Sequence, residues 1–247
     1  MKKYTLLETD KKNNFGIKLF RVKSEIDFGI VKKGDLGGYI EKEQNLSMSG
    51  NAWVFDKAQV SGNARVSGNA RISGDAKVSG KAQIFGNSWV SGNAQVFGDA
   101  QIFGDAWVFG DARVSGNARV FSDANVSGKA QIFGKARVSY DARVFGNALV
   151  FSDARISGKA QIFGNSWVSG NAQIFGNSWV FGDAWVSDDA RVSGDARISG
   201  KAKVSGKTQI SGNARVSGDA QVSYDARVSG NARISGDARI SGIIKQN

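Results

Sequence analysis

The sequence predicts an all-β protein, a three-sided parallel β-solenoid, and three observations lead to that prediction. Every sixth residue from Met48 to Ile240 is a large aliphatic residue, which gives thirty-three consecutive hexads without an insertion. Counted from that residue, position five is small and nearly always Ala. Positions three and four are mostly Gly followed by Asn, Asp or Lys, residue types that favour a tight corner.

Each hexad is too short to bury its own aliphatic residue and must stack on copies of itself. A hexad such as Val60-Ser61-Gly62-Asn63-Ala64-Arg65 predicts a short strand that ends in a corner, with positions one and five facing inward. Three hexads then make one coil of about 18 residues, and the repeat predicts about eleven coils.

The hexad pattern divides the chain into three segments. Residues 1–46 lie outside it, and the alternation at Lys18–Lys23, preceded by the polar stretch Lys11–Asn14, predicts a small β-hairpin that caps the first coil. Residues 47–242 form the predicted solenoid. Residues 243–247 are a short tail that either folds over the last coil or leaves that coil free to pair with another chain.

The aliphatic residue followed four positions later by a small one resembles the hexapeptide-repeat, left-handed parallel β-helix family over residues 47–242. The left hand is implied by this resemblance. The segment from Asp27 through Tyr39 and Ile40 to Ser49-Gly50-Asn51-Ala52-Trp53-Val54 is similar to the start of the YdcK-like bacterial and phage proteins, which are grouped with transferases.

Composition excludes several classes of active site. The chain has no His and no Cys, so it lacks the commonest general base near neutral pH and the usual zinc ligands. The net charge is +11, but the first 46 residues account for only +3, and the rest is spread along the repeat as a diffuse field. We therefore predict no catalytic residue, no metal site and no cofactor.

The resemblance to the hexapeptide-repeat family implies an acyltransferase as an alternative function. Known members use a catalytic His and an extended loop, and this chain has neither. Corner carboxylates such as Asp75, Asp99, Asp105, Asp111 and Asp123 could act as bases, but Asp alternates there with Asn and Lys, which indicates a role in the turn.

The aromatic residues predict an interaction surface. All six Trp occupy position six and twelve of the fifteen Phe occupy position two, both of which face outward in the predicted coil. Rows of exposed aromatic side chains indicate a contact surface, although such rows could also stack on themselves and stiffen the solenoid. The predicted interaction residues are Trp53, Trp89, Trp107, Trp179, Phe109, Phe145, Phe163, Phe181, Trp167 and Trp185.

We accordingly expect a non-catalytic, rigid interaction protein that forms a homo-oligomer or binds another protein through these aromatic side chains. Binding of a carbohydrate or a polyanion is a further alternative, since Trp53, Arg71, Trp89 and Trp107 fall in one column of successive coils. The N-terminal stretch has no secretory signal and no apolar run is long enough to span a membrane, so we expect a cytoplasmic chain without a membrane partner.

Overall fold

The computed structural model describes residues 2–246, which form two compact units, residues 2–122 and residues 123–246. Each unit is built from short parallel strands in three sheets, and the first unit also carries an antiparallel cap. The described residues contain no α-helix, and a single 3₁₀ turn spans Glu43–Asn45. The predicted all-β parallel solenoid is confirmed.

The N-terminal cap has three strands and is larger than the predicted hairpin. Tyr4–Leu7 pairs antiparallel with Phe20–Ser24, which pairs antiparallel with Leu36–Ile40. Leu36–Ile40 then pairs in parallel with Gln59–Val60, so the cap belongs to one sheet of the solenoid. The sequence missed this third strand because Gly37 and Gly38 disfavour a strand assignment; both are buried.

The strands of the first unit form three sheets. The cap sheet contains Tyr4–Leu7, Phe20–Ser24, Leu36–Ile40, Gln59–Val60, Lys77–Val78, Gln95–Val96 and Arg113–Val114. The tryptophan sheet contains Trp53–Val54, Arg71–Ile72, Trp89–Val90 and Trp107–Val108. The phenylalanine sheet contains Arg65–Val66, Gln83–Ile84, Gln101–Ile102 and Arg119–Val120.

The second unit has seven strands in each of its three sheets. The arginine sheet contains Asn125–Val126, Arg143–Val144, Gln161–Ile162, Trp179–Val180, Arg197–Ile198, Arg215–Val216 and Arg233–Ile234. The aromatic-row sheet contains Gln131–Ile132, Leu149–Val150, Trp167–Val168, Trp185–Val186, Lys203–Val204, Gln221–Val222 and Arg239–Ile240. The tail sheet contains Arg137–Val138, Arg155–Ile156, Gln173–Ile174, Arg191–Val192, Gln209–Ile210, Arg227–Gly230 and Ile243–Gln246.

The core has the composition that the hexad predicts. Neighbouring strands pair residues 18 apart, as in Val90 with Val108, so aliphatic residues stack on aliphatic residues from coil to coil. The residues at positions one and five, such as Val108 and Ala106, are almost all completely buried. Most of the predicted tail, residues 243–246, forms a strand that pairs in parallel with Arg227–Gly230.

The corners depend on a left-handed backbone conformation at position three. Glycine has a φ near +70° there, and the non-Gly residues with positive φ, among them Asp56, Asp188 and Tyr224, occupy the same position. A Cβ added at Gly170 would lie 2.6 Å from the backbone nitrogen of Asp188 in the next coil. Close stacking of successive corners, as well as φ, therefore favours glycine at this position.

Candidate functional site

The predicted interaction residues were assigned to positions that alternate with the core. Side chains on a strand point to opposite faces in turn, so position six faces outward when position one faces inward. The structure follows this rule at Trp107, Trp167 and Trp185, whose exposed fractions are 47%, 39% and 45%. Phe109 is exposed to a similar degree, at 39%.

Trp53 is an exception, and its assignment to the exposed surface is wrong. Its side chain is 1% exposed because the cap covers it. The Trp53 ring meets Phe28 at a centroid distance of 5.3 Å and Tyr4 at 6.3 Å, both edge to face. A Cβ added at Gly37 would lie 2.8 Å from the Trp53 ring, so only glycine permits this approach.

Trp89 and Trp107 form a pair on the tryptophan sheet of the first unit. Their ring centroids are 5.3 Å apart and the ring planes meet at 63°. The indole nitrogen of Trp89 donates a hydrogen bond of 2.9 Å to the hydroxyl of Ser73, which fixes the orientation of the ring. Both rings line a groove of about 420 Å³ together with Arg71 and, from the cap, Gly29 and Ile30.

A ladder of side-chain amides follows one corner beside this groove. The Asn51 amide nitrogen donates to the Asn69 oxygen at 3.1 Å, Asn69 donates to Asn87 at 2.9 Å, and Asn87 donates to Asp105 at 2.8 Å. This ladder is absent from the candidate sites predicted above, although Asn at intervals of 18 residues is its signal in the sequence. Asp105 ends the ladder as an acceptor, which supports the structural interpretation of the corner carboxylates.

The second unit carries an aromatic row on its aromatic-row sheet, defined by Phe133, Phe151, Trp167 and Trp185. The rings of Phe133 and Phe151 stack at a centroid distance of 4.9 Å, and those of Trp167 and Trp185 stack at 4.7 Å. Phe151 and Trp167 meet edge to face at 6.2 Å. The row is therefore a contiguous set of rings that leaves two tryptophans exposed.

A second aromatic cluster lies on the arginine sheet of the same unit. The rings of Phe145, Phe163 and Phe181 stack at centroid distances of 4.9 Å and 5.0 Å. Trp179 contacts Phe163 edge to face, and the guanidinium of Arg197 lies 4.9 Å from its ring centroid. These four rings are half-buried, so they are less available to a partner than Trp167 and Trp185 of the aromatic row.

Comparison with known families agrees with this geometry. The family model of the YdcK beta solenoid repeat matches residues 58–74, 112–128, 190–206, 209–224 and 226–242. The chain contains repeats of the YdcK β-solenoid type. The resemblance to YdcK-like proteins that the sequence predicts is thus confirmed. A search of curated proteins gives no match.

The matched YdcK repeats avoid most of the aromatic residues. None of the six Trp lies within the matched segments, and Phe121 is the single Phe that does. The match therefore depends on the aliphatic, small and corner positions that build the solenoid. The aromatic row and the Trp89–Trp107 pair are features of this chain that the matched YdcK repeats do not carry.

Lys3 is a buried titratable residue of the cap that is not among the candidate residues predicted from the sequence. Its ammonium nitrogen donates to the carbonyl oxygen of Ala52 at 2.8 Å and lies 4.4 Å from the centroid of the Phe28 ring. Burial lowers the pKa of Lys3 to about 8. Burial and the nearby Glu43 carboxylate raise the pKa of the Tyr4 hydroxyl, which donates to the Leu46 carbonyl oxygen.

The part of the chain that the structure describes contains no group of three or more His, Cys, Asp or Glu residues placed to hold a metal ion. Within the same residues, no helix is long and apolar enough to cross a membrane.

Proposed function

We propose that the chain is a non-catalytic interaction protein that forms a dimer with a second copy of itself through the aromatic row of the second unit. The observation that carries this proposal is the stacked pair of Trp167 and Trp185, whose rings remain 39% and 45% exposed. Exposed apolar rings arranged in a row are typical of a contact surface. Two observations support a non-catalytic role: the corner carboxylate of Asp105 accepts a hydrogen bond from the neighbouring corner, and the chain has no His.

The charges on either side of the aromatic row favour a second copy as the occupant. One corner column beside the row runs from Lys129 through Asn147 and Asn165 to Asp183. The Asn147 amide donates to Asn165 and the Asn165 amide donates to Asp183, both at 3.0 Å, so these corners are in register. Over the four coils of the aromatic row, this column is cationic at one end and anionic at the other.

The corner column on the other side of the row has the same polarity. It runs from Lys135 through Asp153 and Asn171 to Asp189, which accepts a hydrogen bond of 3.0 Å from Asn171, so its cationic residue is again at one end and its acidic residues follow. Lys129, Lys135, Asp183 and Asp189 are all exposed, and the ion pairs among residues 2–246 involve none of them. Both columns therefore offer unpaired charges of opposite sign at opposite ends of the row.

In an antiparallel, face-to-face dimer, the cationic end of each column faces the anionic end of the same column in the other copy. A two-fold axis across the middle of the row places Lys129 of one copy opposite Asp183 of the other, and Lys135 opposite Asp189. The same axis brings the row onto its own copy, as an isologous interface requires. Four coils spaced by about 4.8 Å give a small interface, so we expect a dissociation constant in the micromolar range.

A charge-reversal series tests this arrangement by sedimentation equilibrium at low salt. Lys129→Asp with Lys135→Asp places like charges opposite each other in the dimer and should weaken association at least about tenfold, which is about 1.4 kcal/mol. Adding Asp183→Lys and Asp189→Lys restores complementarity and should restore the dimer.

The matched control is Lys159→Asp with Arg191→Asp, two exposed residues of the same unit on the tail sheet and on the corner that follows it, neither of which flanks the aromatic row. This control should dimerise like the unmodified protein. Failure of the fourfold variant to recover association, or equal weakening by the control pair, would argue against the antiparallel dimer.

A further inference from the structure

We infer that the groove beside the Trp89–Trp107 pair binds a neutral oligosaccharide. This inference concerns the first unit and does not depend on the dimer proposed for the second. The groove, about 420 Å³, has the cap residues Gly29 and Ile30 at one edge and the tryptophan sheet beneath it. Its lining combines aromatic faces with amides, the mixture that orients a polar ligand with apolar faces.

The two indoles provide stacking surfaces for sugar rings. An aromatic face carries partial negative charge, which attracts the hydrogens of the C–H bonds on one face of a pyranose. Trp107 is 47% exposed and packs edge to face on Trp89, and Trp89 is held by its hydrogen bond to Ser73, so the pair is positioned before a ligand arrives. Such preorganisation lowers the entropic cost of binding.

The amide ladder offers hydrogen bonds for sugar hydroxyls. A carboxamide has two N–H donors and two acceptor lone pairs. In the ladder, Asn69 uses one donor toward Asn87 and one lone pair toward Asn51, and so retains one of each. Asn87 likewise keeps one donor and one lone pair, and Asn51, which accepts no bond within the ladder, keeps one donor and both lone pairs. The three amides repeat at intervals of about 4.8 Å. A hydroxyl both donates and accepts, which matches these alternating groups.

The charge of the groove selects a neutral ligand. Arg71 is the single charged residue that lines it, and the ion pairs within the described chain do not include Arg71. A nucleic acid or an acidic polysaccharide would require several cations to neutralise its repeating charge. The groove of the second unit that Arg197, Arg215 and Arg233 line is more cationic and provides a contrast within the same chain.

The experiment titrates the full chain with hexasaccharides built from β-linked glucose, β-linked N-acetylglucosamine, α-linked glucose and α-linked mannose, by isothermal titration calorimetry. Heparin and a single-stranded oligonucleotide are the polyanionic probes. Trp107→Gln and Trp89→Gln use a residue that occupies position six elsewhere, as at Gln101. Trp185→Gln is the control, since it removes an exposed tryptophan of the second unit.

At least one neutral hexasaccharide should bind with a dissociation constant below about 1 mM, and Trp107→Gln should weaken it at least about tenfold. Trp185→Gln should leave the affinity unchanged, and Arg71→Gln should weaken binding without a dependence on salt. No binding of any neutral probe at about 1 mM, equal loss in the Trp185→Gln control, or binding confined to the polyanions would overturn the inference.

Discussion

Asp188 accepts a hydrogen bond from the backbone N–H of Gly206, one coil farther along the chain, at 2.9 Å from its Oδ2 atom. Asp56 makes the same bond to Gly74 at the same distance. Both aspartates have φ values above +50°, in the left-handed region that usually requires glycine. The hydrogen bond to the next corner offsets the strain that a side chain causes at this position.

Two substitutions of Asp188 separate the contribution of the hydrogen bond from that of the backbone strain. Asp188→Ala loses the hydrogen bond and keeps the strain, so we expect it to destabilise the second unit by about 1 kcal/mol. Asp188→Gly loses the bond but relieves the strain, and should lie within about 0.5 kcal/mol of the unmodified protein. Denaturation midpoints in urea provide the comparison. Equal midpoints for the two variants would show that the strain is unimportant.

Ser166 occupies a core position that Ala usually fills, and its hydroxyl has no hydrogen-bond partner among residues 2–246. At the equivalent position, the Ser178 hydroxyl donates to the carbonyl oxygen of Phe175 at 2.8 Å. Ser166→Ala should therefore stabilise the protein by about 1 kcal/mol, because it removes a buried unsatisfied group. Ser178→Ala, the matched control, should be neutral or destabilising in thermal unfolding. A loss of stability in Ser166→Ala would contradict this account.

Burial of Lys3 predicts a pH dependence of stability. The folded pKa is about 8 and the ordinary value is 10.5, so between pH 8 and 10 the unfolded chain binds more protons than the folded chain. Stability should rise with pH across this window, by at most about 1.4 kcal/mol per pH unit, and the contribution of Lys3 should be constant below it. Above pH 10 the raised pKa of Tyr4 acts in the opposite direction.

Lys3→Met tests this prediction because it removes the titrating group and keeps an apolar stem. Urea midpoints of both proteins at pH 8, 9 and 10 should show a smaller rise for the variant. The same pH dependence in both proteins would exclude Lys3 as its source.

Arg215 lies between Arg197 and Arg233 in register on the arginine sheet. Like charges on neighbouring strands are destabilising by a few tenths of a kcal/mol, so Arg215→Gln should stabilise the protein at low salt. The gain should shrink at about 0.5 M salt because of screening. Arg191→Gln is the control, since its neighbours in the sheet are Gln173 and Gln209. An equal gain in the control would rule out repulsion as the cause.

The solenoid could be predicted from the sequence because its contacts repeat every 18 residues. Each hexad specifies its inward residues and its corner, and stacking of Val90 on Val108 follows from the period alone. The cap could not be predicted in the same way, because its contacts join unlike segments. Trp53 occupies an outward position and became part of the predicted surface, yet Phe28 and Tyr4 cover it from outside the repeat.

The candidate surfaces were predicted in part. The outward positions of Trp107, Trp167 and Trp185 follow from strand alternation. The arrangement of the rings does not follow from strand alternation. Trp167 and Trp185 stack in parallel, whereas Trp89 and Trp107 meet at an angle. This difference depends on neighbours such as Ser73, which binds the indole of Trp89. Their roles as interaction residues remain predictions.

The most direct test of the proposed dimer is the molar mass from light scattering, measured up to about 100 μM for the unmodified protein and for Trp167→Gln with Trp185→Gln. We expect the mass of the unmodified protein to rise with concentration to twice that of the 26.3 kDa chain, and the variant to stay monomeric. An unmodified protein that stays monomeric throughout, or a variant that dimerises as strongly as the unmodified protein, would rule out the proposed dimer.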